Sequence, residues 1–364
     1  TSAEFIRSIK EKYPDQLVMA DCDNIENALA CAEAGADFVG TTMRGYTPET
    51  KGIDDVDFGF IAQLAREGLI VRRPKVGSIV IGRTRMHRVA FFLPELYTRR
   101  GERFTRPLAE LLERELAAQG IPECQVIYDT ASGEGWKLLS RLAASRRIQG
   151  VVVRSMTGGE LDRFARLPVP FTAITALGIP GGVSFFTERL ADAMVEGVKR
   201  QGCRTAGIIH PGGGESYLAP FYRRLRTAAE ASGIEIRPGW IFGRDDYGAD
   251  ILDIDHFGYV GIGRTLSSPQ RPEAVMLFSD DLVAGVTMGL YARGLRVPGD
   301  LKLVVHRTVE NPVIFPFDCM LVEQSIAELV RLLVGKLIDG FEGRAPRQGE
   351  LSIRISRNDG APEA

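Results

Sequence analysis

Two adjacent carboxylates, Asp280 and Asp281, follow the apolar run Ala274-Val-Met-Leu-Phe and precede a helical run, so they sit where a strand ends and a helix begins. Carboxylates at such a mouth accept hydrogen bonds from ligand hydroxyls. The alternative is that Ser279 or Asp280 only caps the helix. Arg307 closes the run Leu301-Lys-Leu-Val-Val-His-Arg. A guanidinium there binds a carboxylate or phosphate through two parallel hydrogen bonds, unless an internal acid such as Glu310 takes it. One loop collects Tyr97, Arg99, Arg100, Arg103 and Phe104. It reads either as aromatic and cationic ligand contacts or as an exposed charged loop.

Residue patterns for bond-making chemistry are missing. The four histidines, His87, His210, His256 and His306, have no HxxxH spacing and no nearby cysteine, so no metal is assigned. No GxSxG elbow anchors a catalytic triad. His210-Pro-Gly-Gly-Gly-Glu could cradle a phosphate on backbone amides, but it lacks the Lys-Ser/Thr of a phosphate-binding loop and reads as a turn. The sequence thus assigns no catalytic residue and no cofactor.

These candidates need elements to hold them. From Arg88 onward short apolar runs alternate with longer helical ones, which predicts βαβ units and parallel sheets. The strands are continuously apolar, so both faces of each sheet should be covered. Gly178-Ile-Pro-Gly-Gly interrupts the rhythm, which then restarts; two lobes are expected, with ligand bound at the carboxyl ends of the strands. Arg154 ends the strand Gly150-Val-Val-Val-Arg and joins the candidate ligand set. The helix Gln324–Gly340 places Ile326, Leu329, Val330, Leu333 and Leu337 on one face, as core or subunit contact. Leu351-Ser-Ile-Arg-Ile is a closing strand, and Asn358–Ala364 a frayed tail. Trp136 and Trp240 read as core or lobe-edge residues, with Trp240 open to exposure because it follows a glycine.

The chain has 364 residues, 45% apolar and 25% charged, with a net charge of −2. That balance suits a globular protein with room for a two-lobed domain and a smaller one. No run is long and apolar enough for a membrane span, and five scattered cysteines argue against a disulfide framework, so a reducing cytoplasm is expected. Residues 1–62 carry 12 acidic and 5 basic residues, a net −7, which is unlike a nucleic-acid-binding head.

Three resemblances follow from these residues. Phe278-Ser-Asp-Asp-Leu-Val-Ala-Gly-Val and Gly289-Leu-Tyr-Ala-Arg-Gly-Leu-Arg-Val-Pro-Gly-Asp-Leu resemble the effector domain of the lactose/galactose-repressor family. That family shares its fold with periplasmic sugar-binding proteins, and the likeness runs from Arg88 to Arg357. It implies a homodimer whose lobes close on a small-molecule effector, a sugar or a sugar acid or phosphate. It also implies Tyr97, Phe104, Arg154, Phe221, Asp280, Asp281 and Arg307 as ligand contacts. Two departures stand out. Val305-His306-Arg307 replaces the usual Gly-Phe-Asp, and the ligand-clamping arginine aligns with about Phe221. An arginine in place of an acid favours an anionic effector.

Leu64-Ala-Arg-Glu-Gly-Leu-Ile-Val-Arg-Arg-Pro-Lys-Val-Gly-Ser-Ile-Val resembles the end of a GntR-type winged helix, a β-hairpin wing in which Arg72, Arg73 and Lys75 would touch phosphates. The helices that should read bases are not recognisable, so DNA binding is expected to be weak. Leu17-Val-Met-Ala-Asp-Cys, Ala34-Gly-Ala-Asp-Phe-Val-Gly-Thr-Thr and Gly45-Tyr-Thr resemble N-acetylmannosamine-6-phosphate 2-epimerase, a β/α barrel enzyme. The resemblance puts Asp21, Thr41, Thr42 and Tyr46 at strand ends and in the loop after them. The family's proton-transferring lysine and glutamate have no counterpart here, and epimerisation beside a carbonyl needs both a base and an acid. The expected organisation is therefore an α/β segment of βαβα type over 1–63, a wing remnant over 64–82, and a two-lobed α/β domain over 83–357. Lobe one would take about 86–180 and 311–345, lobe two about 181–310 and 349–357.

Overall fold

The computed structural model describes the chain except for residues 15, 42, 53–57, 67–69, 74–76, 81–87, 95–102, 157–159, 176–181, 212–218, 248–252 and 360–364. Its head runs α1 (Ser2–Lys12), β1 (Met19–Asp21), α2 (Ile25–Glu33) and β2 (Phe38–Gly40). The order is αβαβ, not βαβα. Thr1 and Glu4 form a capping box that starts a helix at the first residues. β1 and β2 pair in parallel, and Ala20 and Val39 pack with Ala3, Ile6, Ala28 and Ala32 of the helices. Lys10 donates to Asp37 (2.6 Å) and to the Gln16 carbonyl (2.7 Å), fixing α1 against the chain entering each strand. Then come α3 (Phe58–Arg66) and the antiparallel hairpin of β3 (Ile70–Arg73) and β4 (Gly77–Val80), with Arg73 opposite Gly77.

Lobe one contains β5 (Arg88–Leu93), α4 (Thr105–Ala118), β6 (Glu123–Tyr128), α5 (Glu134–Ala144), β7 (Gly150–Met156), α6 (Leu161–Ala165), β8 (Phe171–Thr175) and β9 (Gly182–Val183). Its sheet has the order β6-β5-β7-β8-β9, all parallel. Val89, Phe91 and Val152 pack to one side with Leu108, Leu112 and Leu116 of α4. Ala90, Phe92, Val151 and Val153 pack to the other with Leu139 and Phe164. Both faces are covered, which is why these strands are apolar throughout.

Lobe two adds α7 (Glu188–Arg200), β10 (Ala206–His210), α8 (Ala219–Ala231), β11 (Ile241–Gly243), α9 (Arg244–Tyr247), α10 (Ile254–Leu266), β12 (Ala274–Leu277), α11 (Val283–Tyr291), β13 (Lys302–Thr308) and β14 (Asp318–Gln324). The chain closes with α12 (Ile326–Phe341) and β15 (Arg354–Asp359). The second sheet is ordered β11-β10-β12-β13-β14-β15, parallel except for β15. Glycines bring α10 and α11 together. A Cβ on Gly285 would lie 1.7 Å from the Asp255 carbonyl, and one on Gly258 2.7 Å from that of Leu282. This close approach fixes the Asp280–Leu282 turn, which lies directly before α11.

The lobe boundary differs from the expected one. Residues 318–324 pair with β13 in lobe two, while α12 buries Ile326, Leu329, Val330, Leu333 and Leu337 in the core of lobe one. The chain therefore crosses at Ser325 and not near 311. Glu310 marks the place: its carboxylate accepts from Ser325 Oγ (2.5 Å), Ile326 N (2.7 Å) and Ala327 N (3.2 Å), so a lobe-two acid caps the lobe-one helix. On the return, Asp339 accepts from Arg344 and Arg347, and Lys336 donates to the Arg347 carbonyl (2.7 Å). Asn358, expected in a frayed tail, belongs to β15 and donates to the Phe317 carbonyl (2.6 Å), and Arg357 pairs with Asp318. Trp240 is buried at 1% exposure, with Nε1 on the Gln270 carbonyl (2.8 Å). Trp136 sits edge-on to Phe164 beneath the Arg163 guanidinium.

Candidate functional site

The carboxyl ends of the two sheets meet at a set of rings. From lobe one, Phe104 precedes α4 and lies under the Arg154 guanidinium, 4.4 Å from its ring centroid. Arg154 Nε donates to Thr105 Oγ1 (3.2 Å), so the end of β7 and the start of α4 are tied together. Two of the expected contacts are thus neighbours. Phe104 meets Phe185 edge-on at 5.3 Å, and Phe185 lies on the segment that leaves β9 for lobe two. Tyr97 lies outside the described residues.

The lobe-two side departs from expectation in an instructive way. Strand alternation sends Leu303, Val305 and Arg307 to the α10–α11 side and Val304 and His306 to the other. His306, not Arg307, reaches the rings, 6.1 Å from both Phe185 and Phe186. Its Nε2 pairs with Gln324 Oε1 (2.8 Å), and its Nδ1 has no partner although it is buried. Phe186 also packs on His210 (5.0 Å) and on Phe221 (5.5 Å). His210 Nδ1 bonds Tyr222 Oη (2.6 Å). Burial pushes His210 down to about 3, with the neighbouring His306 adding to it, and pushes His306 down to about 4 against the bond to Gln324. Both rings are neutral at ordinary pH.

Arg307 is engaged elsewhere. β13 and β14 pair so that Arg307 lies opposite Glu323, and Nη1 donates to Glu323 Oε1 (3.2 Å) beside the Phe315 ring. The internal acid is Glu323 and not Glu310, because directly opposed residues of paired strands share a face. Glu323 also accepts from Arg354 and Ser356.

The carboxylate pair splits into two roles. Asp280 is 1% exposed, and it accepts from Thr308 N (2.9 Å) and Asn311 Nδ2 (3.2 Å). As placed, it is a strut for the loop after β13, with no surface left for a ligand. Burial raises it to about 7, helped by the charge of Asp281 and opposed by those two donors. Asp281, 7% exposed, accepts from Asn311 Nδ2 (2.9 Å). Ser279 makes no side-chain cap bond. Phe221 is 1% exposed and packs edge-on to Phe278, inside the core of lobe two. Across the cleft Arg103 reaches Asp255 in the first turn of α10, at 3.1 and 3.3 Å.

In the head, Asp21 Oδ1 accepts from Met43 N (3.3 Å), and Tyr46 is 84% exposed. Thr41 directly follows β2, while Thr42 lies outside the described residues. Asp23 holds the turn through Thr47 (2.6 Å) and Asn27 (2.9 Å). Arg72 and Arg73 lie in β3; Lys75 and the glycine loop after His210 fall outside the described residues. Among the described residues no cluster of His, Cys, Asp or Glu could hold a metal, and no helix is long and apolar enough to cross a membrane. Phe185, Phe186, His306, Gln324 and Asn311 lie among the candidate residues, and the sequence did not single them out as contacts. Strand parity from the Arg307 position would have found His306.

Comparison with known proteins falls into two parts. Residues 195–357 match the family model described as "Periplasmic binding protein-like domain", and residues 1–79 the one described as "Putative N-acetylmannosamine-6-phosphate epimerase". A Pediococcus pentosaceus relative of the latter description is 45% identical over 78 residues, 21% of this chain and 33% of its own length. A Borreliella afzelii relative is 44% identical over 68 residues, 18% of this chain and 29% of its own. The chain thus spans about a third of the curated relatives it matches. Among solved structures, a LacI family transcriptional regulator from Lactobacillus casei with bound glucose aligns at TM-score 0.57 and 19% identity, covering 75% of this chain and 100% of that one. The same regulator with bound sucrose gives 0.58 and 20%, covering 75% and 99%. A structure titled "putative ribose operon repressor" from Burkholderia thailandensis gives 0.55 and 20%, covering 74% and 98%. The fold of the larger part is that of these two-lobed, parallel-sheet α/β domains.

Proposed function

We propose that residues 83–357 are the effector-binding domain of a transcription regulator, taking a small sugar-like molecule between the lobes, and that the chain catalyses no reaction. One observation carries this reading. The carboxyl ends of both sheets meet at Phe104, Arg154, Phe185 and His306, drawn from both lobes, where open α/β sheets bind ligands, and Asp281 lies in the turn that follows β12 at the carboxyl end of the second sheet. Phe104, half-buried, supplies stacking surface, and Asp281 supplies an acceptor for hydroxyls. An anionic effector remains within the proposal: Glu323 has a second arginine in Arg354, so Arg307 can turn to a ligand without leaving that acid unpaired. Exposed Tyr259, Met288 and Tyr291 on α10 and α11 support self-association as a homodimer, and a cytoplasmic setting belongs to the same proposal. The hairpin β3–β4 fits a wing remnant, and DNA binding through it would be weak and salt-sensitive.

The test is a thermal-shift screen of neutral sugars, sugar acids and sugar phosphates, since a ligand bound only by the folded state raises its stability. The expected outcome is a hit whose shift disappears in Phe104→Ala and Asp281→Asn. Hits insensitive to both substitutions, or none in any class, would refute the reading. The match of residues 1–79 favours a second reading, an epimerase relic. β1 and β2 supply Asp21 alone as an acid at a strand end, too little for proton transfer on both faces of a carbon.

A further inference from the structure

Asp281 and the first turn of α12 belong to different lobes, yet one short turn of the chain touches both. β13 ends at Thr308, and Asn311 N donates to the Thr308 carbonyl (2.9 Å), which closes the turn Thr308-Val-Glu-Asn. Pro312 follows and disfavours helical backbone at Asn311, so the turn stops there. Its base is anchored as well. Thr308 pairs with Gln324 of β14, and Val309 N donates to the Gln324 carbonyl (3.0 Å).

The two polar side chains of this turn serve different lobes. Asn311 Nδ2 donates to Asp281 Oδ1 (2.9 Å) and Asp280 Oδ1 (3.2 Å). Its own Oδ1 is buried with no partner among the described residues, so the two acids orient the amide. Glu310, the preceding residue, accepts from Ser325 Oγ, Ile326 N and Ala327 N. Those two amides are donors that a helix leaves unpaired in its first turn. The next one, Glu328 N, goes to Ser325 Oγ (3.2 Å). Glu310 thus completes the cap of a helix whose apolar face fills lobe one. Only the backbone dihedrals of two adjoining residues separate the Asn311 amide from the Glu310 carboxylate, so a shift at one reaches the other.

We infer that this turn is the relay of the proposed sensor: what hydrogen-bonds to Asp281 sets Asn311, and Glu310 carries that setting into the first turn of α12, where the chain passes between lobes. The inference rests on the sensing reading for its ligand, but the relay belongs to the fold and can be read without one. Asn311 and Glu310 act as positioning residues, through Asp281 and α12. Coupling of this kind is reciprocal, so disturbing Glu310 must also be felt at Thr308, whose amide is held by Asp280.

The experiment is residue-resolved amide hydrogen exchange on the full chain without ligand. Asn311→Ala should speed exchange at Ile326 and Ala327 about tenfold, the scale of one hydrogen bond to a charged group. Asp281→Ala should give a smaller rise at the same two amides, while Val152 and Leu277 in the two sheets stay unchanged. Glu310→Ala should speed Ile326 and Ala327 directly, and adding Asn311→Ala to it should bring no further rise there, because the relay is already cut. The milder Glu310→Gln keeps one acceptor and should speed exchange at Thr308, which tests the relay even where Asn311→Ala does not fold. A rise shared equally by Val152 and Leu277 is general loosening and overturns the inference. Additive effects in the double variant, or an unmoved Thr308 in Glu310→Gln, do so equally. If these results hold while the sugar screen finds no hit, the sensing reading fails and the coupling stands. Hits in the screen with Ile326 and Ala327 indifferent to Asn311→Ala sink the relay alone.

Discussion

Replacing Asp280 with Asn should steepen the loss of stability in mild acid, because it removes a group that opposes two buried histidines. His210 and His306 titrate at about 3 and 4 in the fold against 6.5 in an unfolded chain. Between those values the unfolded state holds more protons, so stability is present above pH 6.5 and is lost as pH falls. At about pH 5 each histidine lies 1.5 pH units below its unfolded value, at about 1.4 kcal/mol per unit. Together they remove about 4 kcal/mol relative to pH 7.5. Asp280 acts in the other direction. Its folded value of about 7 exceeds the unfolded 3.8, so the fold holds the extra proton at pH 5 and gains about 2.5 kcal/mol over the same interval. The wild type should lose about 1.5 kcal/mol, and Asp280→Asn about 4 kcal/mol. The variant keeps one of the two contacts, since the new carbonyl accepts from Thr308 N, and loses the one from Asn311 Nδ2, a cost that is the same at both pH values. Urea unfolding at both pH values measures the difference, and other titrating groups cancel between the two proteins. Equal pH dependence in both would refute the reasoning, since Asp280 would then be ionised in the fold.

Other outcomes follow from single contacts. Glu310→Ala should lower stability by about 1–2 kcal/mol, measured by urea unfolding, because the cap on α12 joins the two lobes. Arg103→Glu and Asp255→Lys should each enlarge the radius of gyration in solution scattering, and the double variant should restore it. The pair is about 40% exposed, so each effect corresponds to no more than about 1 kcal/mol. Arg307→Ala should weaken an anionic effector about tenfold or more, and its neutral analogue much less, in calorimetric titration; equal losses would make Arg307 a support for Glu323. Incubation with N-acetylmannosamine 6-phosphate should give no epimer, and turnover that Asp21→Ala abolishes would reverse that view.

Much of the architecture was legible because apolar strands alternate with helices at regular intervals, which βαβ physics converts into two parallel sheets. The lobe boundary was not, because β14 and α12 are contiguous in sequence, yet one joins lobe two and the other lobe one. Nothing in a run of apolar residues says which core it fills. Glu310 is the residue that turns the chain, and from sequence it looked only like a partner for Arg307. Of the candidate site, Phe104 and Asp281 were proposed from a family resemblance and Arg154 from its place late in a strand, and the fold sets Phe104 and Arg154 side by side. Arg307 and His306 show where that logic needs a second step. Alignment to a family motif picks a position along the strand, whereas the period-two alternation of side chains decides which face it serves. Here the face that meets the rings belongs to His306, a residue held neutral by burial with one nitrogen unspent. That nitrogen is buried, so His306 shapes this floor through its packing on Phe185 and Phe186, and charge would be supplied from Arg154 and a displaced Arg307. The ligand's charge and its shape would be read by different walls of one cleft, so substitutions at His306 and Arg307 should change specificity independently.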